Sequence, residues 1–275
     1  MNKFKKAFND KRVVIGMVHC SPLLGYGNPL KIREVEKKFM KDLKALISGG
    51  VDAVMIENNY DAPHYETAKL STIPHLTDLC LKARKYTKKP LGICILWNDY
   101  ETALAIAKIA EFNFIRVPVF VDKVKTVYGI FSGKAKEVID FRKKINAEDI
   151  LIFADVQVKH AEHLIKRSLS VAIREAIAKK ADAVIITGKW TGDPPTVKDV
   201  NEAKKTAKNI PVILGSGITT GNIKKYCADA FIVGSYFKGK GNPQEKDFHN
   251  IFSYKAKIQK SRVKKFVSVL KTKKK

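Results

Sequence analysis

Two carboxylates, Glu57 and Asp155, each stand where a short apolar run ends, and two chemistries suit them there. Facing carboxyl groups can serve as general acid and base. They can also hold a divalent metal through hard oxygen atoms, which makes Glu57 and Asp155 the candidate ligands for any such ion. A structural role, orienting Lys159 or Arg116, fits the same residues equally well. Lys159 and His160 are adjacent, so in an extended chain they point to opposite sides, and one of them rather than both is expected in a site. His19 follows Ile15 and Met17 at period two, and either projects into the same space or is a hydrogen-bonded core histidine. Arg116 and Asn98 complete the catalytic candidates, with Asn58, Asp61 and Asp99 beside them as substrate contacts. His64, His75, His163 and His249 show no metal-ligand spacing, while Trp97 and Trp190 read as packing residues.

A second kind of chemistry lies near the end of the chain. Gly215-Ser216-Gly217 follows one apolar run and Gly234-Ser235 follows the next. Glycine lets backbone N–H groups approach a phosphate without obstruction from a Cβ. Thr187-Gly188 and Thr191-Gly192 are further substrate-contact candidates on the preceding loop. On this basis Gly217→Val should abolish ligand binding and leave the fold intact.

These residues need elements to position them. Eight β-branched runs recur: Val13–Val18, Ala53–Ile56, Leu91–Leu96, Phe114–Val119, Leu151–Val156, Ala183–Thr187, Val212–Leu214 and Ala230–Val233. Helical-period stretches separate them; Ile32, Val35, Phe39, Leu43 and Leu46 mark one amphipathic face, which Gly49-Gly50 stops. Asn98 or Asp99, Thr196, and Thr219 or Thr220 stand at expected helix starts. Near-continuous apolar strands, each leading to a helix, indicate a parallel sheet buried on both faces. Eight such units predict one α/β domain, a (β/α)8 TIM barrel over residues 1–253, with a basic, partly helical C-terminal extension over residues 254–275. Active sites of such barrels lie at the C-terminal ends of the strands, and phosphate is often bound after the seventh and eighth. Every candidate named above falls at such an end.

Composition excludes other classes. The 275 residues are 45% hydrophobic, which argues against disorder, and the apolar run Pro90–Trp97 is far short of the roughly 20 residues that span a bilayer. The first strand begins by Val13, leaving little room for a cleaved leader, so a cytoplasmic protein is expected. Cys20, Cys80, Cys94 and Cys227 are scattered and read as small core residues. The net charge is +25, and the tail from Tyr254 to Lys275 supplies ten Lys/Arg with no acid. Such a tail can touch a polyanion or the anionic face of a membrane, while Val263, Phe266, Val267 and Leu270 at helical spacing would pack it on the body.

The chain resembles the BtpA family, also written BtpA/SgcQ. The resemblance runs in order through Ile15-Gly16-Met17-Val18-His19, Glu57-Asn58 with Asp61-Ala62-Pro63, Asn98-Asp99, Phe114-Ile115-Arg116-Val117, Phe153-Ala154-Asp155-Val156, Val158-Lys159-His160-Ala161, Thr187-Gly188 with Thr191-Gly192, Gly215-Ser216-Gly217 and Phe231-Ile232-Val233-Gly234-Ser235. It covers about residues 13–240, which places the basic tail outside the shared core, and Gln157 stands where a histidine-like residue is expected. The resemblance implies a barrel enzyme. Its best-known member is required for photosystem I accumulation at the thylakoid, and other relatives lie among sugar-metabolism genes. The expectation that follows is an enzyme acting on a phosphorylated sugar or nucleotide-like metabolite, with homo-oligomers an open alternative. Competing expectations are a membrane-complex assembly factor, a phosphoribosylanthranilate isomerase-like enzyme, and a polyanion-binding protein.

Overall fold

The structure, a computed structural model, describes residues 3–8, 12–27, 30–239 and 253–272; His249 and the Lys273–Lys275 run lie outside the described residues. In chain order the strands are β1 (Val13–His19), β2 (Ala53–Glu57), β3 (Leu91–Cys94), β4 (Phe114–Val117), β5 (Lys123–Thr126), β6 (Gly129–Ser132), β7 (Leu151–Asp155), β8 (Glu162–His163), β9 (Ala183–Ile186), β10 (Val212–Leu214) and β11 (Ala230–Val233). β1, β2, β3, β4, β7, β9, β10 and β11 close a parallel barrel in that order, with β11 paired to β1. All eight apolar runs are therefore barrel strands. β1 and β2 run one residue further than their apolar stretches, because His19 pairs in register with Glu57.

Helices α1 (Lys3–Phe8), α2 (Ile32–Gly49), α3 (Thr72–Tyr86), α4 (Tyr100–Ile109), α5 (Ala135–Lys144), α6 (Leu169–Ala178), α7 (Val197–Ala207), α8 (Ser235–Lys238) and α9 (Lys260–Lys271) accompany the strands. Asp99 caps α4 by accepting from the Thr102 N–H at 3.1 Å, and Thr196 caps α7 by accepting from Asp199 N–H at 3.1 Å. Gly50, at φ 94°, ends α2 in the left-handed conformation. The short helix after β10 differs from expectation. It is a single 3₁₀ turn, Ile223–Lys225, led by Asn222 rather than capped by Thr219 or Thr220, and the Asn222 side chain bonds back to Thr219 N–H at 2.8 Å. The sequence also gave no warning of a small antiparallel sheet, β6-β5-β8, inserted beside the barrel. Its inner residues Val124 and Phe131 pack with Trp97, whose ring stacks on Phe131 at 5.5 Å.

The interior has two layers. Outward-pointing strand residues meet the helices, while inward ones such as Met17, Met55, Phe114, Phe153, Ile185 and Ile232 fill the barrel. α1 closes its floor: Phe4 lies 5.7 Å from the Phe153 ring and Phe8 lies 6.1 Å from Phe114. The basic opening sequence is thus a plug anchored by two buried aromatics.

α9 packs against α2, burying Val263, Phe266 and Val267, and Asp42 of α2 accepts the Ile258 N–H at 3.0 Å. Lys260, Lys264 and Lys265 remain on its outer side. Cys20, Cys80 and Cys94 are core residues, but Cys227 is exposed, in the turn that leads to β11. Among the described residues no helix is long and apolar enough to cross a membrane.

Candidate functional site

Side chains alternate along a strand, so the residue two steps beyond an inward-facing core residue also faces inward. Beyond Met17, Met55, Phe114 and Phe153 those residues are His19, Glu57, Arg116 and Asp155. They form a continuous chain across the barrel mouth. Arg116 binds Asp155 bidentately, Nε to Oδ1 at 2.8 Å and Nη2 to Oδ2 at 2.8 Å, and reaches Glu57 Oε1 through Nη1 at 3.3 Å. The second Glu57 oxygen lies 3.3 Å from His19 Nε2. Burial works against the Arg116 charge, but Asp155 and Glu57 more than restore it, so its pKa is raised. For Glu57, burial opposes ionisation, yet the His19 hydrogen bond and Arg116 prevail and hold its pKa at about 2. Burial and the nearby Lys238 pull His19 down to about 4 against the attraction of Glu57. At neutral pH, therefore, an ionised Glu57 orients a neutral His19.

The two carboxylates do not fit a metal pair. A guanidinium stands between them and engages oxygens of both, and among the described residues no group of three or more His, Cys, Asp or Glu side chains is placed to hold an ion. Asp155 is fully buried behind Arg116 and does not line the cavity above it.

That cavity, about 410 Å³, is lined by His19, Glu57, Arg116, Lys159, His160, Thr191 and Gly192, and by both glycine loops, Gly215-Ser216-Gly217 and Gly234-Ser235. Lys159 and His160 both enter it, contrary to the expectation of one. His160 takes φ 62°, which bends the loop so that Lys159 Nζ and His160 Nε2 converge on Thr191 Oγ1, at 3.2 and 2.7 Å. Burial, then Arg116, draws the Lys159 pKa down to about 8.

The glycines carry structural duties of their own. Gly217, at φ 64°, packs so closely on the 192–194 loop that a Cβ would lie 2.2 Å from Pro194 N. Gly217→Val would consequently strain this loop pair itself, so a loss of binding in that variant would not isolate a ligand contact. The N–H groups of Gly217 and Ile218 have no acceptor among the described residues. Gly234 makes room for the His19 ring, since its Cβ would come within 2.8 Å of Cε1.

Four other candidates serve the framework and do not line the cavity. Asn58 accepts from Leu96 N–H at 3.0 Å and donates to Asp61, which also accepts from Leu23 N–H at 2.8 Å. Asn98 clamps the loop after β4 through Val119 and Ser132 carbonyls at 2.9 and 3.2 Å. Asp99, besides capping α4, accepts from Ala68 N–H at 2.8 Å. Thr187 and Gly188 line an adjoining groove instead, beside Trp190, which is 49% exposed rather than packed.

Lys238, Tyr60 and Arg262 are among the cavity residues that sequence reasoning missed. Lys238 sits at the end of α8, 8% exposed, with Nζ donating to Tyr60 Oη at 3.2 Å. Arg262 arrives from α9, where Nε donates to the Tyr236 carbonyl at 2.5 Å and the guanidinium lies 4.3 Å over the Tyr236 ring. Lys238 had a faint signal, three residues after Ser235. Tyr60 and Arg262 had none.

A family profile described as the BtpA family matches residues 10–272, so the family extends through α9 and the basic tail is not an addition outside it. An uncharacterised protein of Archaeoglobus fulgidus is 38% identical over 234 residues, covering 84% of this chain and 93% of that protein. The photosystem I biogenesis protein BtpA of Synechocystis is 35% identical over 250 residues, covering 87% and 85%. Among solved structures, (S)-3-O-geranylgeranylglyceryl phosphate synthase from Thermoplasma acidophilum, in complex with sn-glycerol-1-phosphate, superimposes with a TM-score of 0.58 at 12% identity, covering 97% of this chain and 96% of its own. That last likeness is one of fold.

Proposed function

This chain belongs to the BtpA family, and from that premise we propose that it is an enzyme acting on a phosphorylated sugar or nucleotide-like metabolite at the C-terminal mouth of its barrel. One observation carries the proposal: a single cavity brings both glycine loops together with the His19–Glu57–Arg116 array and two lysines. The phosphate lies against the N–H groups of Gly217 and Ile218 and beside Ser235, with the Arg262 guanidinium as its cation. Among the described residues no carboxylate pairs with Arg262, so its charge is available to an anion. His19, oriented by Glu57, handles a proton on the remainder of the ligand. Asp155 acts through Arg116, holding the guanidinium in place from behind.

The test is a thermal-shift series on wild type and Arg262→Ala with inorganic phosphate, ribose 5-phosphate and adenosine monophosphate. A ligand at about 100 times its dissociation constant stabilises the fold by roughly 2.7 kcal/mol. A shift seen in wild type and reduced in the variant is the expected result. No shift with any of the three would remove the phosphate assignment.

A further inference from the structure

Of the two lysines in the cavity, Lys238 is the one the acid–base array leaves unexplained. Lys159 is tied to Thr191 and lies within the field of Glu57 and Asp155, which favour its charged form. Lys238 is more deeply buried, and among the described residues no carboxylate stands within ion-pair distance of it. Among the described residues Nζ donates a single hydrogen bond, to the Tyr60 hydroxyl, and it also lies 5.3 Å from the centroid of the same ring. Lys38, on the neighbouring α2, adds positive charge nearby, although it is itself paired with Asp42. Asp42 and Glu57 attract its charge from beyond ion-pair distance. A buried amine beside another cation and with no carboxylate in direct contact is the arrangement that turns lysine into a nucleophile.

Resting on the phosphate-ligand assignment made above, we propose that Lys238 forms an imine with the carbonyl carbon of an open-chain aldehyde or ketone phosphate held in this cavity. The neutral Nζ adds to the carbonyl carbon as the C=O π bond breaks, and the oxygen takes up a proton. The resulting carbinolamine loses its hydroxyl as water and a proton from nitrogen, leaving C=N, so that one amine and one carbonyl give one imine and one water. Tyr60 Oη, 3.2 Å from Nζ, is placed to pass these protons, and the His19 ring lies 6.3 Å from that of Tyr60, within the field of Lys238. An imine draws electrons from the neighbouring carbon, which fits an oriented base such as His19 in the same cavity. Burial, then Lys38, brings the Lys238 pKa down to about 7 against the attraction of Asp42 and Glu57, so a substantial share of the amine is unprotonated at neutral pH.

The experiment is borohydride trapping. Wild-type protein is incubated with glyceraldehyde 3-phosphate or dihydroxyacetone phosphate, reduced with sodium borohydride and mapped by peptide mass spectrometry, with and without excess inorganic phosphate. The adduct is expected on the peptide bearing Lys238 at least tenfold above any other lysine, and phosphate should suppress it. Lys238→Arg, which keeps the charge, and Lys238→Met, which keeps the bulk, should both lose the adduct and still show the thermal shift with inorganic phosphate. An adduct confined to Lys159 or spread over surface lysines overturns the role of Lys238, as does no adduct in a protein that binds phosphate. Where inorganic phosphate still gives its thermal shift, the phosphate site stands in either case. An adduct on Lys238 that phosphate does not suppress keeps the imine and removes the phosphate site.

Discussion

The floor and the mouth of the barrel are built on the same strands, two residues apart, and hold opposite chemistry. At the floor Phe114 and Phe153 stack at 4.5 Å and are closed off by Phe4 and Phe8. One inward step higher, Arg116 and Asp155 from the same two strands form a buried ion pair that continues to Glu57 and His19. The floor is held by apolar area, which has no direction, so its residues tolerate exchange for others of similar volume. The mouth is held by charge and hydrogen bonds, each of which needs its partner in place, so removal of one member exposes the cost of the rest.

The largest effects test this contrast directly. Phe153→Ala and Arg116→Met should each lower stability by about 3–5 kcal/mol, the first by opening a cavity and the second by leaving buried carboxylates unpaired. Urea denaturation at several pH values separates them. The Phe153 loss should be independent of pH, whereas the Arg116 loss should shrink in acid as Glu57 and Asp155 take up protons. Equal pH dependence would erase the distinction between the two ends.

His19 gives a slightly smaller and more specific effect. Its folded pKa of about 4 lies below the ordinary 6.5, so the unfolded chain binds the proton first as pH falls. Its contribution is fully present above pH 6.5 and is lost progressively down to about pH 4, amounting to about 3 kcal/mol. Asp61 works the other way in part of this window, because burial raises its carboxyl to about 6 and acid favours the folded form. The difference between wild type and His19→Gln isolates the histidine. Gln can still donate to Glu57 but does not titrate, so its stability should fall less between pH 6.5 and 4.

Least in magnitude is Arg262→Ala. Its expected effect is about a tenfold loss of phosphate affinity, equivalent to roughly 1.4 kcal/mol, measured by calorimetric titration. Unchanged affinity would assign Arg262 to packing on Tyr236 alone.

The fold was legible because its signal is local. Runs such as Ala230–Val233 and the helical face from Val35 to Leu46 express strand and helix periods within a few residues. The strand ends were legible for the same reason, which is how His19, Glu57, Arg116 and Asp155 could be named together. The insert β5–β6 was missed because its two short strands are mostly exposed and carry little apolar alternation. The framework roles of Asn58, Asp61, Asn98 and Asp99 were also hidden: a polar residue at a strand end looks the same whether it meets a ligand or a backbone N–H.

What the chain determined by itself is the parity of each strand, and with it the ring of residues that faces the barrel axis, because alternation follows from backbone geometry alone. Only the tertiary structure decided which of them reach the cavity and in what state. Closure of the barrel set Arg116 between two carboxylates and hid Asp155 behind it. The left-handed turn at His160 brought two neighbouring side chains to one hydroxyl, and docking of α9 on α2 carried Arg262 to the cavity of the glycine loops. Each of these depends on where a long side chain ends once distant segments pack, and no local period encodes that.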